Sequence, residues 1–184
     1  RCHMSDDSVG DRYTQYMETA TSAARLAGTA LQTRAREGFR IEQKTTVVNL
    51  VTDADHEAER IIIDRIRSEF PLHHILAEEG GREARGESSF QWVIDPLDGT
   101  VNYAHHVPIF SVSIAFASKG TQTLAAVYDP MRDEMFTAER GKGAFLNGKP
   151  IHATNIPELG KSLLVTGFPY DTWNTELDNF KYFE

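Results

Sequence analysis

Apolar residues at helical spacing predict two helices before residue 71. The stretch 11–36 contains no proline, and its apolar side chains recur every three or four positions, which predicts one long helix that ends at Gly38. An extended piece is predicted over 39–44. Thr52 and Asp55 have the spacing of a capping box, and the helix that follows them ends at Pro71. The apolar stripes are Met17, Ala20, Ala24, Ala27 and Leu31 in the first helix, and Ala58, Ile62, Ile66 and Phe70 in the second.

Beyond residue 71 the apolar pattern changes from the period of a helix to that of a strand. Short apolar runs at 74–77 and 90–94 predict strands, and the charged, glycine-bearing stretch 80–89 predicts an exposed loop. From residue 109 apolar and small residues alternate, with turn sequences at 119–120, 129–130, 141–143 and 147–148. This pattern predicts an antiparallel meander. Two helices ahead of a meander predict an α+β domain with the helices packed on one sheet face.

The charge balance opposes one large class of functions. The chain has 19 Lys and Arg against 27 Asp and Glu, a net charge of −8, which is the wrong sign for nonspecific binding to nucleic acid. An acidic protein can still bind a phosphate when metal cations turn a carboxylate cluster into a local positive site. No apolar run is long enough to span a bilayer, and the single cysteine, Cys2, cannot form an intramolecular disulfide. We therefore expect a cytoplasmic protein without membrane or nucleic-acid partners.

The two termini of the chain are interpreted separately. Residues 1–4 are interpreted as a vector-derived leader ahead of a natural start at Met4, so the domain is taken as 5–184. In the polar and aromatic stretch 170–184, Leu177, Phe180 and Phe183 indicate the beginning of a further helix.

The segment 92–103, WVIDPLDGTVNY, carries the strongest chemical signal. An apolar strand delivers Asp95 and Asp98 into a predicted tight turn closed by Gly99 and Thr100. Two close carboxylates repel each other, and a hard divalent cation between them removes that repulsion. Oxygen ligands select magnesium, manganese or calcium over zinc. The sequence therefore predicts a metal site here.

A third carboxylate is predicted at the end of the preceding strand. Either Glu78 or Glu79, in the sequence AEEG, would lie beside Asp95 if the two strands were neighbours. Carboxylates at adjacent strand ends suit a two-metal site for phosphoryl transfer.

Three separated motifs resemble those of the inositol monophosphatase family. DPLDGTVNYAHHVP at 95–108 resembles its first signature, and NLVTDAD at 49–55 and AEEG at 77–80 resemble its two upstream site segments, in the same order. GKGAFLNGKPI at 141–151 and LLVTGFPY at 163–170 are similar to segments of bacterial members. The resemblance implies a layered helix and antiparallel-sheet sandwich of the sugar-phosphatase type, the first lobe of an αβαβα architecture.

The resemblance also implies roles for particular residues. Glu78, Asp95 and the backbone carbonyl of Leu97 would hold one Mg²⁺, and Asp95 with Asp98 would contribute to a second, with two or three ions in all. The substrate phosphate would meet the backbone N–H groups of Gly99 and Thr100, and Asp98 would also contact the substrate. The implied catalytic residues are Asp55, Thr100 and Glu78; the Thr100 hydroxyl and Asp55 would orient or deprotonate the attacking water. Lys44 would lie near the rim of the site.

By the same resemblance, the expected activity is Mg²⁺-dependent hydrolysis of a small polyol or sugar monophosphate, with inositol-1-phosphate as first choice. Histidinol phosphate, fructose 1,6-bisphosphate and a 3′-phosphoadenosine nucleotide stay open as substrates. Lithium inhibition and a homodimer are implied as well. A non-catalytic assembly or regulatory subunit with the same fold is the alternative from another class.

The sequence departs from the family in one respect. The second signature of the family is a Trp-Asp segment whose aspartate completes the second metal site, whereas Trp173 is followed by Asn174. The resemblance therefore implies the first lobe alone, and it does not imply that this lobe is active by itself.

Several neighbouring polar residues have a simpler interpretation than metal binding. His105 and His106 cannot both face one ion from a strand, so surface or rim positions are expected for them. Glu79 is interpreted as a solvated neighbour of Glu78, and Asp53 as an exposed residue in the first turn of a helix, where the helix dipole favours an acid.

Overall fold

The structure is a computed structural model that describes residues 7–43, 50–84 and 87–167. Four sequence-based expectations lie outside the described residues: the interpretation of 1–4, the role of Lys44, the absent second signature at Trp173 and the helix predicted to begin in 170–184.

Three α-helices form in the described residues: α1 (Asp7–Glu37), α2 (Asp53–Glu69) and the short α3 (Thr100–Ala104). The long first helix is confirmed, and it begins four residues before the predicted start. Gly38 ends it with a left-handed φ of 104°, which costs a glycine little, and its N–H donates to the Arg34 carbonyl at 2.8 Å.

The capping box at the start of α2 is confirmed in both directions. The Asp55 N–H donates to the Thr52 hydroxyl at 3.4 Å, and the Thr52 N–H donates to Asp55 Oδ2 at 2.8 Å. The helix ends at Glu69 with Phe70 as its C-cap, directly before Pro71. Local sequence chemistry therefore defines both ends of α2.

The strands of the described residues form two sheets. A two-stranded antiparallel sheet pairs β1 (Ile41–Gln43) with β2 (Leu50–Thr52). The large sheet has the strand order β10-β9-β8-β7-β6-β5-β3-β4. Its strands are β3 (His74–Ala77), β4 (Gly81–Glu83), β5 (Phe90–Asp98), β6 (Ser111–Ser118), β7 (Thr121–Asp129), β8 (Glu134–Glu139), β9 (Gly143–Leu146) and β10 (Lys149–Ile151).

The predicted meander is confirmed from β6 to β10, where every neighbouring pair is antiparallel, and β5 adds to it by pairing antiparallel with β6. Two features were not predicted. Strand β4 lies inside the stretch 80–89 that was expected to be a loop, and it pairs antiparallel with β3. Because β4 carries the chain back along β3, the next strand, β5, runs parallel to β3. The sheet is therefore mixed.

The helices cover one face of the sheet, with α1 against β6 and β7 and α2 against β5. Side chains on that face are buried together with the apolar stripes of the helices, which confirms the α+β layering. The largest buried side chains of this core are Trp92, Tyr103, Phe116, Leu31, Ile62, Ile66, Ile75, Leu97 and Ile114. On the opposite face Val93, Ala115 and Val127 are only half-buried. None of the helices within the described ranges combines the length and apolarity that crossing a bilayer requires.

Candidate metal centre

Parallel pairing of β3 with β5 brings Glu78 beside Asp95. Ala77, the last residue of β3, is in register with Ile94, so the next residue of each strand is an acid. The Glu78 N–H continues the pairing by donating to the Ile94 carbonyl at 3.1 Å. The two carboxyl groups interact, because Glu78 is among the causes that raise the pKa of Asp95. The structure thus places together the two residues that the sequence proposed from separate motifs.

An irregularity in β5 places Asp98 on the same face of the strand as Asp95. The sequence predicted a tight turn after Ile94, whereas β5 continues to Asp98. Asp95 pairs with Ser113 and Asp98 with Ser111, so β5 contains one residue more than β6 over this stretch. In a regular strand residues three apart point to opposite faces, and the extra residue cancels that alternation. Pro96, which has no N–H to pair, lies within the bulge.

Burial and two neighbouring acids act electrostatically on Asp95. Burial raises the pKa of Asp95 from 3.8 to about 7, and the negative charges of Glu78 and Asp98 add to the increase. A hydrogen bond from the Leu97 N–H to Asp95 Oδ1, at 3.2 Å, opposes it. The charged cluster is therefore unfavourable without a cation, which is the electrostatic condition for a divalent metal site.

Asp55 and Thr100 join the second helix to the end of β5. The Asp55 side chain is 1% exposed, and its Oδ2 accepts from the Thr52 N–H at 2.8 Å and the Thr52 hydroxyl at 2.6 Å. Its Oδ1 accepts from the Thr100 hydroxyl at 3.1 Å. Burial raises the pKa of Asp55, while these hydrogen bonds lower it. A fully hydrogen-bonded carboxylate therefore fixes the Thr100 hydroxyl.

Gly99 makes the turn from β5 into α3 possible. Its φ of 98° lies in the left-handed region, and a Cβ atom there would approach the Ile109 carbonyl oxygen to 3.0 Å. The Tyr103 N–H donates to the Gly99 carbonyl at 2.9 Å, which begins the helix. The N–H groups of Gly99 and Thr100 come at the start of α3, where a helix provides no internal acceptors.

The donor set suits a hard cation. Glu78, Asp95, Asp98 and the Leu97 carbonyl offer only oxygen atoms, and the Leu97 carbonyl accepts one hydrogen bond, from Thr100 at 3.0 Å. Among the residues that the structure describes, no three His, Cys, Asp or Glu side chains already form a group that could hold a metal. The fit therefore lies in the chemistry of the donor atoms and in their negative charge.

The residues with simpler interpretations lie as follows. His105 and His106 are exposed; the first contacts the Val101 carbonyl, and the ring of the second is tilted against Phe39 with ring centroids 5.6 Å apart. Asp53 is only half-exposed, and its carboxylate accepts from the Arg40 N–H at 2.8 Å.

One acid near the site was missed in the sequence. Glu59 is 7% exposed, and its Oε2 accepts the N–H of Glu79 at 2.9 Å. Its position, one helical turn after Asp55 on the buried face of α2, was the available signal, because a charged residue is seldom buried without a partner.

The chain belongs to the inositol monophosphatase family, which it matches over residues 12–182. It is 42% identical over 168 residues to the inositol-1-monophosphatase of Synechocystis sp., across 91% of this chain and 58% of that protein. It is 43% identical over 155 residues to the Nus factor SuhB of Escherichia coli, across 84% of this chain and 58% of that protein. The inositol monophosphatase structure from Anabaena matches with a TM-score of 0.80 and 40% identity, across 94% of this chain and 62% of that chain.

These matches confirm the family and the fold class that the sequence indicated. The family is one of phosphatases, so phosphate ester hydrolysis is the chemistry of the class. The chain spans 58% of the length of the two curated relatives.

Proposed function

We propose that the protein hydrolyses a small phosphate monoester in a Mg²⁺-dependent reaction, with inositol-1-phosphate as the first candidate substrate. The observation that carries the proposal is that Glu78 and Asp98 place negative charge near the half-buried Asp95 at the ends of neighbouring strands. A family structure that matches this chain with a TM-score of 0.62 and 25% identity is complexed with Mg²⁺ and phosphate. Two or three ions, a cytoplasmic homodimer and lithium inhibition belong to the same proposal.

The metal ligands follow from the donor set. Glu78, Asp95 and the Leu97 carbonyl would hold one ion, and Asp95 and Asp98 would contribute to a second. When bound, the cations would neutralise charge on the ester and lower the pKa of a bound water. Asp98, at the exposed end of β5, would also contact the substrate.

Asp55 and Thr100 would orient the attacking water. A hydroxyl has a single proton, and the Thr100 hydroxyl lies within hydrogen-bond distance of both Asp55 and the Leu97 carbonyl. The carboxylate is the stronger acceptor, so the Thr100 hydroxyl would donate its hydrogen bond to Asp55. The lone pairs of the Thr100 oxygen would then accept a hydrogen bond from water. The N–H groups of Gly99 and Thr100 would donate to the phosphate.

The assay is release of phosphate from inositol-1-phosphate with and without Mg²⁺, together with Mn²⁺ binding followed by electron paramagnetic resonance. In wild type we expect Mg²⁺-dependent phosphate release and Mn²⁺ binding. In Asp95→Asn we expect the rate of phosphate release and the Mn²⁺ affinity each to fall at least about 100-fold. Asp64→Asn, an exposed acid of α2 paired with Arg60, is the matched control and should behave as wild type. An unchanged rate in Asp95→Asn rejects the metal role. A covalent phosphoryl adduct on the protein rejects direct in-line attack by water.

Histidinol phosphate, fructose 1,6-bisphosphate and a 3′-phosphoadenosine nucleotide belong in the same assay as competing substrates. The described site residues contact the phosphate end of a substrate in this proposal, so they do not separate these compounds. The ratio of kcat/KM values would do so.

The second candidate is a non-catalytic assembly or regulatory role. It is favoured by the relatives named Nus factor SuhB, one of which is 43% identical to this chain. A defined partner complex, measured by light scattering, that forms equally with wild type and Asp95→Asn would favour this candidate. A complex lost with Asp95 would tie assembly to the metal site.

A further inference from the structure

Glu59 is a buried acid that the site roles above do not use. It lies four residues after Asp55 in α2, so the two side chains share one face of the helix, one turn apart. Both are buried, Asp55 at 1% and Glu59 at 7% exposure. A carboxylate removed from water needs hydrogen-bond donors to replace its hydration. The donors that contact Glu59 therefore identify the segment that it stabilises.

The contacts of Glu59 are with the turn that carries Glu78. Its Oε2 accepts the N–H of Glu79 at 2.9 Å. That N–H belongs to the same planar peptide unit as the carbonyl of Glu78, so the bond fixes the plane directly after the Glu78 Cα. Its Oε1 lies against Gly80, where an added Cβ atom would come within 2.8 Å.

Glu78 is therefore held from both sides. On its N-terminal side, its own N–H donates to the Ile94 carbonyl of β5 at 3.1 Å. On its C-terminal side, Glu59 holds the next peptide unit from α2. The same helix fixes Thr100 through Asp55 at 3.1 Å. Helix α2 is thus hydrogen-bonded both to the turn that carries Glu78 and to the Thr100 hydroxyl.

We propose that Glu59 is a positioning residue of the metal centre: by holding the Glu79 N–H it orients the Glu78 carboxylate for the cation that Glu78 shares with Asp95. This inference rests on the proposed function, because it requires that Glu78 binds metal. Groups that orient a metal ligand commonly change affinity by about 10- to 100-fold when they are removed.

The fold offers a reason why removal of Glu59 leaves the hairpin in place. The far end of the β3–β4 hairpin has its own link to α2, an ion pair between Arg67 and Glu83 at 3.2 Å. Loss of the Glu59 contact should therefore loosen the turn at 78–80 without releasing β4. A purely structural role would lower the free energy of unfolding and leave the metal affinity of the folded protein unchanged.

The experiment measures Mn²⁺ dissociation constants by electron paramagnetic resonance and unfolding by urea on the same samples of the full chain. Glu59→Ala should weaken Mn²⁺ binding about 10- to 100-fold, and Glu59→Gln, which keeps an acceptor oxygen, should stay within about threefold of wild type. Glu57→Ala, a neighbouring acid of α2 that pairs with Arg34 at 2.6 Å, is the matched control and should bind as wild type.

Gly80→Ala tests the same contact without changing Glu59 or any ligand. The new Cβ would displace the Glu59 carboxylate from the turn, so Mn²⁺ binding should weaken in the wild-type background. In the Glu59→Ala background the same change should have no further effect, because the displaced group is gone. If Glu59→Ala does not fold, Gly80→Ala and Glu59→Gln decide the question.

Three results would overturn the inference. Folded Glu59→Ala could bind Mn²⁺ as tightly as wild type, Gly80→Ala could leave the affinity unchanged, or Gly80→Ala could weaken it equally with and without Glu59. In each case wild type still binds Mn²⁺ and the proposed function stands. A wild-type chain that binds no Mn²⁺ would overturn the proposed function and this inference together.

Discussion

Replacing Asp95 with asparagine should make the metal-free protein more stable at pH 8. The pKa of Asp95 is raised from 3.8 to about 7, so the folded state binds this proton more tightly than the unfolded chain. The stability from this group is complete below about pH 4 and is lost as pH rises through about 7. At 1.36 kcal/mol for each pKa unit, the full difference corresponds to about 4 kcal/mol. Asp95 is partly exposed and solvent screens its charge, so we expect Asp95→Asn to raise the free energy of unfolding by about 2 kcal/mol.

The assay is urea unfolding in a chelating buffer at pH 5 and pH 8, followed by the same measurement with Mg²⁺. Without metal, the free energy of unfolding of Asp95→Asn should exceed that of wild type by about 2 kcal/mol at pH 8, and by much less at pH 5. With Mg²⁺ the order should reverse, because the cation stabilises only the protein that binds it. Asp64→Asn, which removes an exposed charge of α2, should show neither effect.

Two results would refute this reasoning. Asp95→Asn could be less stable than wild type at pH 8 without metal, which would mean that the carboxylate contributes more through hydrogen bonding than it costs through repulsion. Alternatively, the gap between the variants could be the same at pH 5 and pH 8, which would mean that Asp95 is not the group that titrates.

The remaining predictions concern the core and the turn. Burial lowers the pKa of His73 from 6.5 to about 4, so stability from this group is lost as pH falls between those values; His73→Gln should flatten that slope in urea unfolding. The stability from Asp95 increases as pH falls over this range. Relative to wild type, the free energies of unfolding of His73→Gln and Asp95→Asn should therefore change with pH in opposite directions. Gly99→Ala should lower the free energy of unfolding by about 1–3 kcal/mol, because of its φ of 98° and the approach to the Ile109 carbonyl, and near-neutral behaviour would contradict this. Tyr103→Phe removes the hydrogen bond from its hydroxyl to the Leu31 carbonyl at 2.7 Å and should cost about 1 kcal/mol by thermal unfolding.

Much of the fold was predictable because it depends on local chemistry. The capping box of Thr52 and Asp55 and the left-handed stop at Gly38 each lie within a few residues of the helix end that they define. The strand alternation after residue 109 likewise reports burial of one face. Strand β4 was missed because Gly81–Glu83 has no apolar alternation and, among the strands that the structure describes, only β3 as a neighbour.

The candidate site was predictable as a set of residues but not as an arrangement. The motifs named Glu78, Asp95 and Asp98, yet their meeting depends on parallel pairing between β3 and β5 and on the extra residue in β5. Both are long-range features of backbone pairing that a spacing rule does not contain. Glu59 was missed for the same reason, because its role depends on a hydrogen bond to a residue 20 positions away.

The acidic cluster links stability and metal binding in opposite directions. Backbone pairing and the buried side chains of Trp92 and Ile94 hold the backbone of β5 in place, so the backbone positions of the acids cannot move apart to relieve the repulsion on Asp95. A cation bound at the cluster would remove this repulsion. The free energy that the repulsion costs the metal-free fold would therefore add to the free energy of metal binding. Substitutions that remove charge from the cluster should therefore raise the free energy of unfolding of the metal-free protein and weaken metal binding. A core substitution such as Ile94→Val should instead lower the free energy of unfolding, with little change in the metal affinity of the folded protein.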